Sequence, residues 1–518
     1  MSVILSLLPI LLLIVLMVGF KMAGDKSAVI ALLTAAVIAL FAAPALGFAP
    51  SDFYHGGVFW AFIEGALKAI FPILIIILMA IYSYNVLLES KKIEVIKQQF
   101  VSISEDKSIQ VLLLVWGFGG LLEGMAGFGT AVAIPAAILI SLGFKPGFSA
   151  LVSLIANSVA TGFGAVGVPV MTLANEVAQS GTATTAEVQQ ISANVVLQLS
   201  LLMFIIPYII LFLTDKSAKS QPKNIVLALL VGGVSLGVQY AAARYLGAET
   251  PAIFGSLASI LVIILFAKIT AKKGSEAKPK VHFTGKQLFE AWSVYLFILV
   301  FIVLASPLSG PISQFLKTHL VSKVALPIYH AGKTFNFGWL SNAGLMLFLG
   351  AFIGGLIQGL SVSKLLAILG KTFINLKKSG ITIISLVAMS SIMTYSGMIL
   401  VIATALAEAT GQFYPLVAPL IGAIGTFVTG SDTSSNILFG KLQAGVANQI
   451  GVNTNWLAAA NTAGATGGKI ISPQSIAIAT ASCNQQGQEG AILRSSIPYA
   501  LFYVVIAGLM VYFMVPAV

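Results

Sequence analysis

The chain carries little charge for its length: 9% of its 518 residues are charged, whereas 58% are hydrophobic. A soluble globule of this size needs far more polar surface to cover its core. The composition therefore excludes a soluble protein. Apolar runs of roughly 18 residues or more, long enough to cross the hydrocarbon core of a bilayer, recur along the chain, so we predict an all-α protein with many membrane spans.

Cysteine and histidine are also scarce. The single cysteine, Cys483, excludes an intrachain disulfide, and no Cys/His spacing is typical of a metal site. His55, His282, His319 and His330 all fall in or beside predicted loops. We therefore expect no metal, no cofactor and no histidine proton relay in the membrane. The sequence also lacks a Ser/His or Cys/His arrangement, which argues against an enzyme.

The formal charge of +11 comes from lysines that collect in short polar connections. Such lysines follow the positive-inside rule and indicate cytosolic loops rather than a nucleic-acid surface. The most polar connection, 268–287, divides the chain near its middle. We interpret it as a cytosolic linker between an N-terminal half, 1–267, and a C-terminal half, 288–518.

Each half shows the same order of features, which predicts an internal repeat of the kind found in many secondary transporters. A lysine-bearing arm is followed by a glycine-interrupted apolar stretch that suits a re-entrant hairpin, and then by a broken span. The hairpins are predicted at 109–143 and 380–411, and the broken helices at 148–170 and 415–439. The lysines favour parallel repeats, but one miscounted span would reverse that orientation, so inverted repeats stay open.

The two breaks are the most informative feature of the sequence. Thr161-Gly-Phe-Gly-Ala-Val-Gly-Val-Pro169 and Thr429-Gly-Ser-Asp-Thr-Ser-Ser-Asn436 each interrupt a long hydrophobic segment. An unpaired backbone group in lipid costs several kcal/mol, so such breaks persist only when they are buried in protein or line a cavity. They predict the place where a solute binds.

Three charged residues are candidates for the chemistry of transport. Glu123, at the glycine-rich tip of the first hairpin, is a candidate proton carrier, or alternatively a carboxylate that holds the hairpin shut. Asp432 in the second break suits a proton, a hydroxy acid or a cation such as sodium. Lys469 could neutralise a substrate carboxylate, or pair structurally with Asp432 or Glu408.

Polar and small residues around these groups complete the predicted substrate site. Its predicted members are Lys469, Asn461, Thr462, Ser431, Thr433, Ser434, Asn436, Tyr395, Ser396, Thr161, Asn157, Gly127 and Gly129. A second charged pair, Glu64 and Lys68, stands four residues apart on an apolar span. These two side chains share one helical face, and we expect them to neutralise each other.

Five motifs resemble the bacterial L-lactate permease family, which includes glycolate permeases. They are Glu123–Gly129, Gly143–Pro146, Phe163–Pro169, Thr429–Asn436 and Gly468–Ile478. The resemblance implies uptake of lactate, glycolate and related short 2-hydroxy acids by proton symport across the bacterial cytoplasmic membrane. It also implies inverted repeats with paired hairpins, in conflict with the lysine pattern.

The sequence thus predicts a transporter of roughly 12 spans plus two re-entrant hairpins, with a small monocarboxylate, protons and membrane lipids as its partners and no nucleic acid. Sodium coupling is the nearest alternative, because a Ser/Thr/Asp cluster at a helix break also suits sodium. An ion or solute channel is the alternative of another class. The oligomeric state is open, with a homodimer as the assembly to test.

Overall fold

The computed structural model describes most of the chain. The described residues are 1–20, 22–49, 53, 56–101, 103–104, 106–125, 127, 129–178, 182–270, 283–305, 309–328, 334–483, 485 and 488–516. Three histidines discussed above, His55, His282 and His330, lie outside the described residues, as does most of the predicted linker.

Helices make up nearly all of the described structure. Those before the linker are α1 (Ser2–Ile14), α2 (Gly24–Val37), α3 (Ala43–Ala45), α4 (Gly57–Lys68), α5 (Ile75–Glu89), α6 (Lys92–Val101), α7 (Lys107–Leu112), α8 (Gly119–Met125), α9 (Thr130–Ser141), α10 (Pro146–Thr161), α11 (Gly164–Val177), α12 (Thr185–Gln198), α13 (Ser200–Thr214), α14 (Gln221–Tyr245) and α15 (Pro251–Thr270).

The helices after the linker are α16 (Gly285–Ala305), α17 (Pro311–Thr318), α18 (Ala343–Ile357), α19 (Val362–Asn375), α20 (Lys377–Tyr395), α21 (Met398–Thr410), α22 (Tyr414–Thr429), α23 (Asp432–Ile450), α24 (Thr454–Lys469), α25 (Pro473–Ser482) and α26 (Glu489–Phe513). Two short strands, β1 (Val321–Val324) and β2 (Phe335–Gly338), pair antiparallel with Val321 opposite Gly338. Wider π-helical turns continue several helices, at Val15–Gly19, Ile38–Ala42, Ala69–Leu74 and Leu113–Phe118, and a 3₁₀ turn spans Gly411–Phe413.

The predicted all-helical membrane architecture is confirmed. Among the described residues, 8 helices are long and apolar enough to cross a membrane, and 11 if each sharply bent pair counts as one span. This range lies below the roughly 12 spans that the hydrophobic runs predicted. The lower count of 8 leaves out bent pairs such as α10 and α11, which meet at 48°, and both counts leave out apolar helices of 10–17 residues, such as Ser2–Met17 and Ala343–Ile357.

Both predicted hairpin regions are interrupted by a glycine between two helices. Helix α7, the π-helical turn Leu113–Phe118 and α8 form one continuous helical segment. This segment leads into α9 through Gly129, which has a φ of 84°. Likewise α20 leads into α21 through Gly397, with a φ of 83°. This left-handed conformation is accessible to glycine without steric cost. The two turns lie within the predicted ranges 109–143 and 380–411, and the relation between the halves stays a prediction.

Close helix packing surrounds these hairpins, and α22 against α24 is the clearest case. A Cβ atom at Gly464 would lie 1.7 Å from the Pro419 carbonyl oxygen, and one at Gly468 would lie 2.2 Å from that of Ala423. Only a residue without a side chain permits such backbone approach, which is typical of membrane helix interfaces. This packing fixes α24, and hence Lys469 at its end, against α22.

We expect Gly464→Ala to destabilise the protein by about 1 to 3 kcal/mol, because the added methyl group overpacks this interface. The measurement is thermal unfolding of the purified protein in detergent. Gly370→Ala is the matched control, since Gly370 lies on an exposed helix face with no atom near its would-be Cβ. There the helix propensity of alanine should leave stability unchanged or slightly increased. Equal unfolding temperatures for the two variants would contradict the packing argument.

Candidate functional site

A cavity of about 610 Å³, here called the central cavity, lies where the two helix breaks meet the first hairpin. It is lined by polar groups and by apolar side chains such as Leu13, Ile77 and Leu386. Ten of the predicted site residues line it. They are Glu123, Gly127, Gly129, Asn157, Thr161, Ser431, Asp432, Thr433, Ser434 and Lys469.

The first break has an unusual backbone. After α10 ends, Ala165, Val166 and Gly167 have φ values of 44°, 59° and 75°. A left-handed conformation costs a non-glycine residue roughly 1 to 2 kcal/mol, and most for a β-branched one. Strain of this kind is retained where the surrounding structure over-determines it, often at functional sites.

Glu123 packs directly against this strained segment. A Cβ atom at Gly164 would lie 2.5 Å from one carboxyl oxygen of Glu123, so the glycine leaves the space that the carboxyl group occupies. The hairpin tip and the first break thus form a single wall of the central cavity.

The second break is held by a lysine. Helix α22 ends at Gly430, with a φ of 73°, and Ser431 caps α23 by accepting a hydrogen bond from the Ser434 N–H at 3.2 Å. Lys469 donates to the Gly430 carbonyl oxygen at 2.6 Å. Its ammonium group therefore satisfies a carbonyl freed by the break and stands at the cavity wall. Neither of the ion pairs predicted as alternatives for Lys469 is its direct contact here.

The cavity wall contains polar atoms that have no hydrogen-bond partner within the described structure. Asp432 accepts from the Thr426 hydroxyl at 3.1 Å through one oxygen, and its other oxygen is buried and unpaired. One carboxyl oxygen of Glu123 and both amide atoms of Asn157 are also buried and have no hydrogen-bond partner within the described structure. Because buried polar atoms normally have partners, this group of atoms is suited to a proton or a bound solute.

Three predicted residues lie behind the wall instead of lining the cavity. The Asn461 side chain donates to the Asn436 Oδ1 at 2.9 Å, and Asn436 donates to Thr462 at 2.9 Å. Asn436 also donates to the Pro169 carbonyl oxygen at 2.9 Å. These side chains therefore join the second break to the first, and their role in substrate binding stays a prediction.

Tyr395 and Ser396 also lie away from the central cavity. Ser396 is fully buried at the turn of the second hairpin, and Tyr395 lies near Glu64 and Glu176. Both were predicted as members of the substrate site. The hairpin tips are therefore not equivalent in what they bring to the cavity, and the substrate-binding role of these residues stays a prediction.

Glu64 and Lys68 form the predicted pair, at 2.5 Å, and it belongs to a larger buried group that we call the charge cluster. Its other pair is Glu176 and Lys441, at 3.0 Å. Ser391 donates to Glu64, and Ser390 donates to Glu176 at 3.3 Å. The two ion pairs and the two serine hydroxyl donors together offset the cost of burying these four charges in a membrane protein.

Sequence reasoning overlooked several of these residues. Lys441 has the same signal as Lys469, a lysine within an apolar segment, and could have been found from it. Gln474, Ser475 and Thr382 line the central cavity. The first two belong to the Gly468–Ile478 motif, whereas Thr382 gave no signal.

Comparison with known sequences agrees with this architecture. The profile of the family described as L-lactate permease matches residues 2–518. The L-lactate permease of Streptococcus iniae is 41% identical, covering 88% of this chain and 93% of that protein. The glycolate permease GlcA of Escherichia coli strain K12 is 32% identical, covering 98% and 95%.

Solved structures share the fold at low identity. The YdaH transporter of Alcanivorax borkumensis superposes with a TM-score of 0.56 at 13% identity, covering 94% of this chain and 98% of that one. MtrF of Neisseria gonorrhoeae gives 0.52 at 11% identity, covering 94% and 95%. Both are described as transport proteins, the first with an unusual topology and the second as one of a class of antimetabolite efflux pumps. With a match over nearly its whole length, this chain belongs to the L-lactate permease family and is a multi-pass transporter of the bacterial cytoplasmic membrane, not an enzyme.

Proposed function

We propose that this protein imports L-lactate and related short 2-hydroxy monocarboxylates, glycolate among them, by proton symport. The observation that carries the proposal is the composition of the central cavity, where two carboxyl groups, Glu123 and Asp432, share a polar wall with one ammonium group, Lys469. The names of the relatives supply the substrate class.

Charge balance in the cavity links the anion to a proton. A low-dielectric site is most stable when its net charge is near zero. The empty cavity reaches neutrality when Lys469 is charged and one of the two carboxyl groups is protonated. A bound monocarboxylate adds one negative charge, and a second proton, on the other carboxyl group, restores neutrality. Each anion is therefore carried with one proton.

The same balance explains how uptake overcomes the membrane potential. Moving one charge through the membrane is worth about 2.3 kcal/mol per 100 mV, so a lone anion is driven out of an inside-negative cell. A neutral complex of protein, anion and protons removes this penalty. The gradient of protons then supplies the driving force.

The hydroxyl-rich second break fits a 2-hydroxy acid. Ser431, Thr433 and Ser434 line the cavity beside Lys469. A carboxylate prefers the ammonium group and N–H donors, and a 2-hydroxyl group needs both a donor and an acceptor, which serine and threonine supply. The Lys469 ammonium group has three N–H donors, so it can bind the substrate carboxylate as well as the Gly430 carbonyl oxygen.

The test is accumulation of radiolabelled L-lactate in proteoliposomes under an imposed pH gradient, acidic outside. At least one of Glu123→Gln and Asp432→Asn should lose gradient-driven accumulation, because the side chain that takes up and releases the transported proton is then fixed in a neutral form. Both should retain exchange of internal for external lactate, in which the carrier need not deprotonate. Glu408→Gln, on the exposed face of α21, is the matched control and should accumulate lactate normally.

Three results would contradict the proposal. Normal accumulation in both carboxyl variants would remove them as proton carriers. Loss of uptake when sodium is replaced by choline at constant pH would favour sodium coupling instead. Failure to concentrate lactate under any gradient would indicate a channel.

A further inference from the structure

A second cavity, of about 260 Å³, lies apart from the central cavity and has no role in the mechanism above. We call it the vestibule. It is lined by the start of α12, the turn after α14, strand β2 and the start of α18.

Only a thin wall separates the two cavities. On α5, Ile76 lines the vestibule and its neighbour Ile77 lines the central cavity. On α11, Thr172 lines the vestibule and Val168 lines the central cavity. Four residues of helix rise roughly 6 Å, so about one helical turn divides them. The vestibule is therefore placed on a direct line to the transport site.

The vestibule presents amide donors. The Oδ1 atoms of Asn175 and Asn342 accept from the N–H groups of Ala183 at 2.9 Å and Gly344 at 2.7 Å. A backbone N–H can only donate, so these contacts fix the amide orientation and leave the NH₂ groups for a ligand. The Nδ2 of Asn342 is buried and has no partner among the described residues. A buried N–H donor without a partner at a cavity wall favours a ligand that carries a hydrogen-bond acceptor.

Two lysines add positive charge. Lys68 lies at the inner wall with its side chain 8% accessible and belongs to the charge cluster. Lys317 lines the opposite side, where its ammonium group donates to the Thr185 hydroxyl at 3.2 Å and is exposed. Ammonium and amide donors together are the groups that bind carboxylates.

Two acids limit the charge that the ligand can carry. Glu176 lines the vestibule, but its carboxyl group forms an ion pair with Lys441. Glu249 lies in the turn between α14 and α15, outside the spans, and burial raises the pKa of its carboxyl group while Lys317 acts in the opposite sense. A dianion would be repelled by these acids, whereas a monoanion is balanced once Glu249 is neutral.

We propose that the vestibule is a second binding site for a small monocarboxylate, which the amides of Asn175 and Asn342 and the ammonium of Lys317 hold before it reaches the central cavity. The inference rests on the proposed function for the identity of the ligand. It adds a site outside the two helix breaks, with its own residues.

Binding stoichiometry tests the proposal. Equilibrium binding of radiolabelled L-lactate to the purified full-length protein in detergent should give two sites per chain. Asn342→Asp keeps the oxygen that caps α18 but replaces the NH₂ donor with a repelling oxygen, so one site should be lost. Asn453→Asp is the matched control, because Asn453 caps α24 in the same way and lines neither cavity.

A lysine variant tests the same site without touching a helix cap. Lys317→Met should weaken the second site by about tenfold or more, as expected for a lost charge-assisted hydrogen bond. Lys323→Met, on the neighbouring exposed strand, should leave both sites unchanged. Lys469→Met should remove the central site alone.

The outcomes separate the two proposals. A single site that Lys469→Met abolishes and Asn342→Asp leaves intact would overturn the vestibule site while preserving the proposed function. No lactate binding by the unmodified protein would overturn the proposed function, and the vestibule site with it.

Glu249 gives the vestibule site a pH dependence. The charged groups that share its cavity are Lys68, Glu176 and Lys317. Its raised pKa favours the neutral carboxyl group at acidic pH, so affinity at this site should fall as pH rises through that pKa and Glu249 becomes charged. Glu249→Gln should retain the site and flatten this fall in a series of dissociation constants from acidic to neutral pH. An unchanged pH profile in that variant would contradict the role of Glu249.

Discussion

The need to satisfy backbone groups that leave a helix within the membrane governs this structure. No water or lipid group can pair with them there, so protein atoms must. Asn436 donates to the Pro169 carbonyl oxygen at the first break, and Lys469 donates to that of Gly430 at the second. Each contact comes from another helix, so the partners that make the breaks tolerable also bring them together. The central cavity is the space that remains between them.

Charge is arranged differently in the two buried polar regions. In the charge cluster, acids and bases are equal in number and paired at short distance, which makes it neutral without a ligand. In the central cavity two carboxyl groups face one ammonium group, and oxygens of both acids lack partners within the described structure. A balanced cluster suits a structural contact between helices, whereas an unbalanced one must change its protonation or bind an ion. This difference supports the proposal that the central cavity is the transport site.

Much of this could be predicted from sequence, because the signals are local. A break in an apolar run, a carboxyl group at a glycine-rich tip and a lysine in a hydrophobic span are visible without any knowledge of packing. Glu123, Asp432 and Lys469 were found in this way, and all three line one cavity. The predicted positions of both breaks also coincide with the ends of α10 and α22.

What the sequence could not supply was the pairing of distant helices. The sequence places Asn436 in the second break and Asn461 in an apolar segment, but it does not show that they bond to each other rather than face a solute. It likewise could not show that Tyr395 lies near Glu64 and Glu176. The choice between contacting the cavity and supporting its wall depends on the rotation of each helix against neighbours that are far away in sequence.

The strained turn Ala165–Gly167 at the start of α11 packs between the two cavities. Val166 is fully buried in a left-handed conformation that a β-branched residue rarely adopts, so its neighbours must hold it there. On one side Ala165 lies against Gly127 of the hairpin tip; on the other, a Cβ at Gly167 would lie 2.2 Å from the Ala248 carbonyl oxygen, next to Glu249. The same three residues therefore contact the wall of the transport site and the wall of the vestibule. The turn therefore forms one continuous contact between the hairpin tip that carries Glu123 and the turn beside Glu249, and its strained backbone is held by packing on both sides.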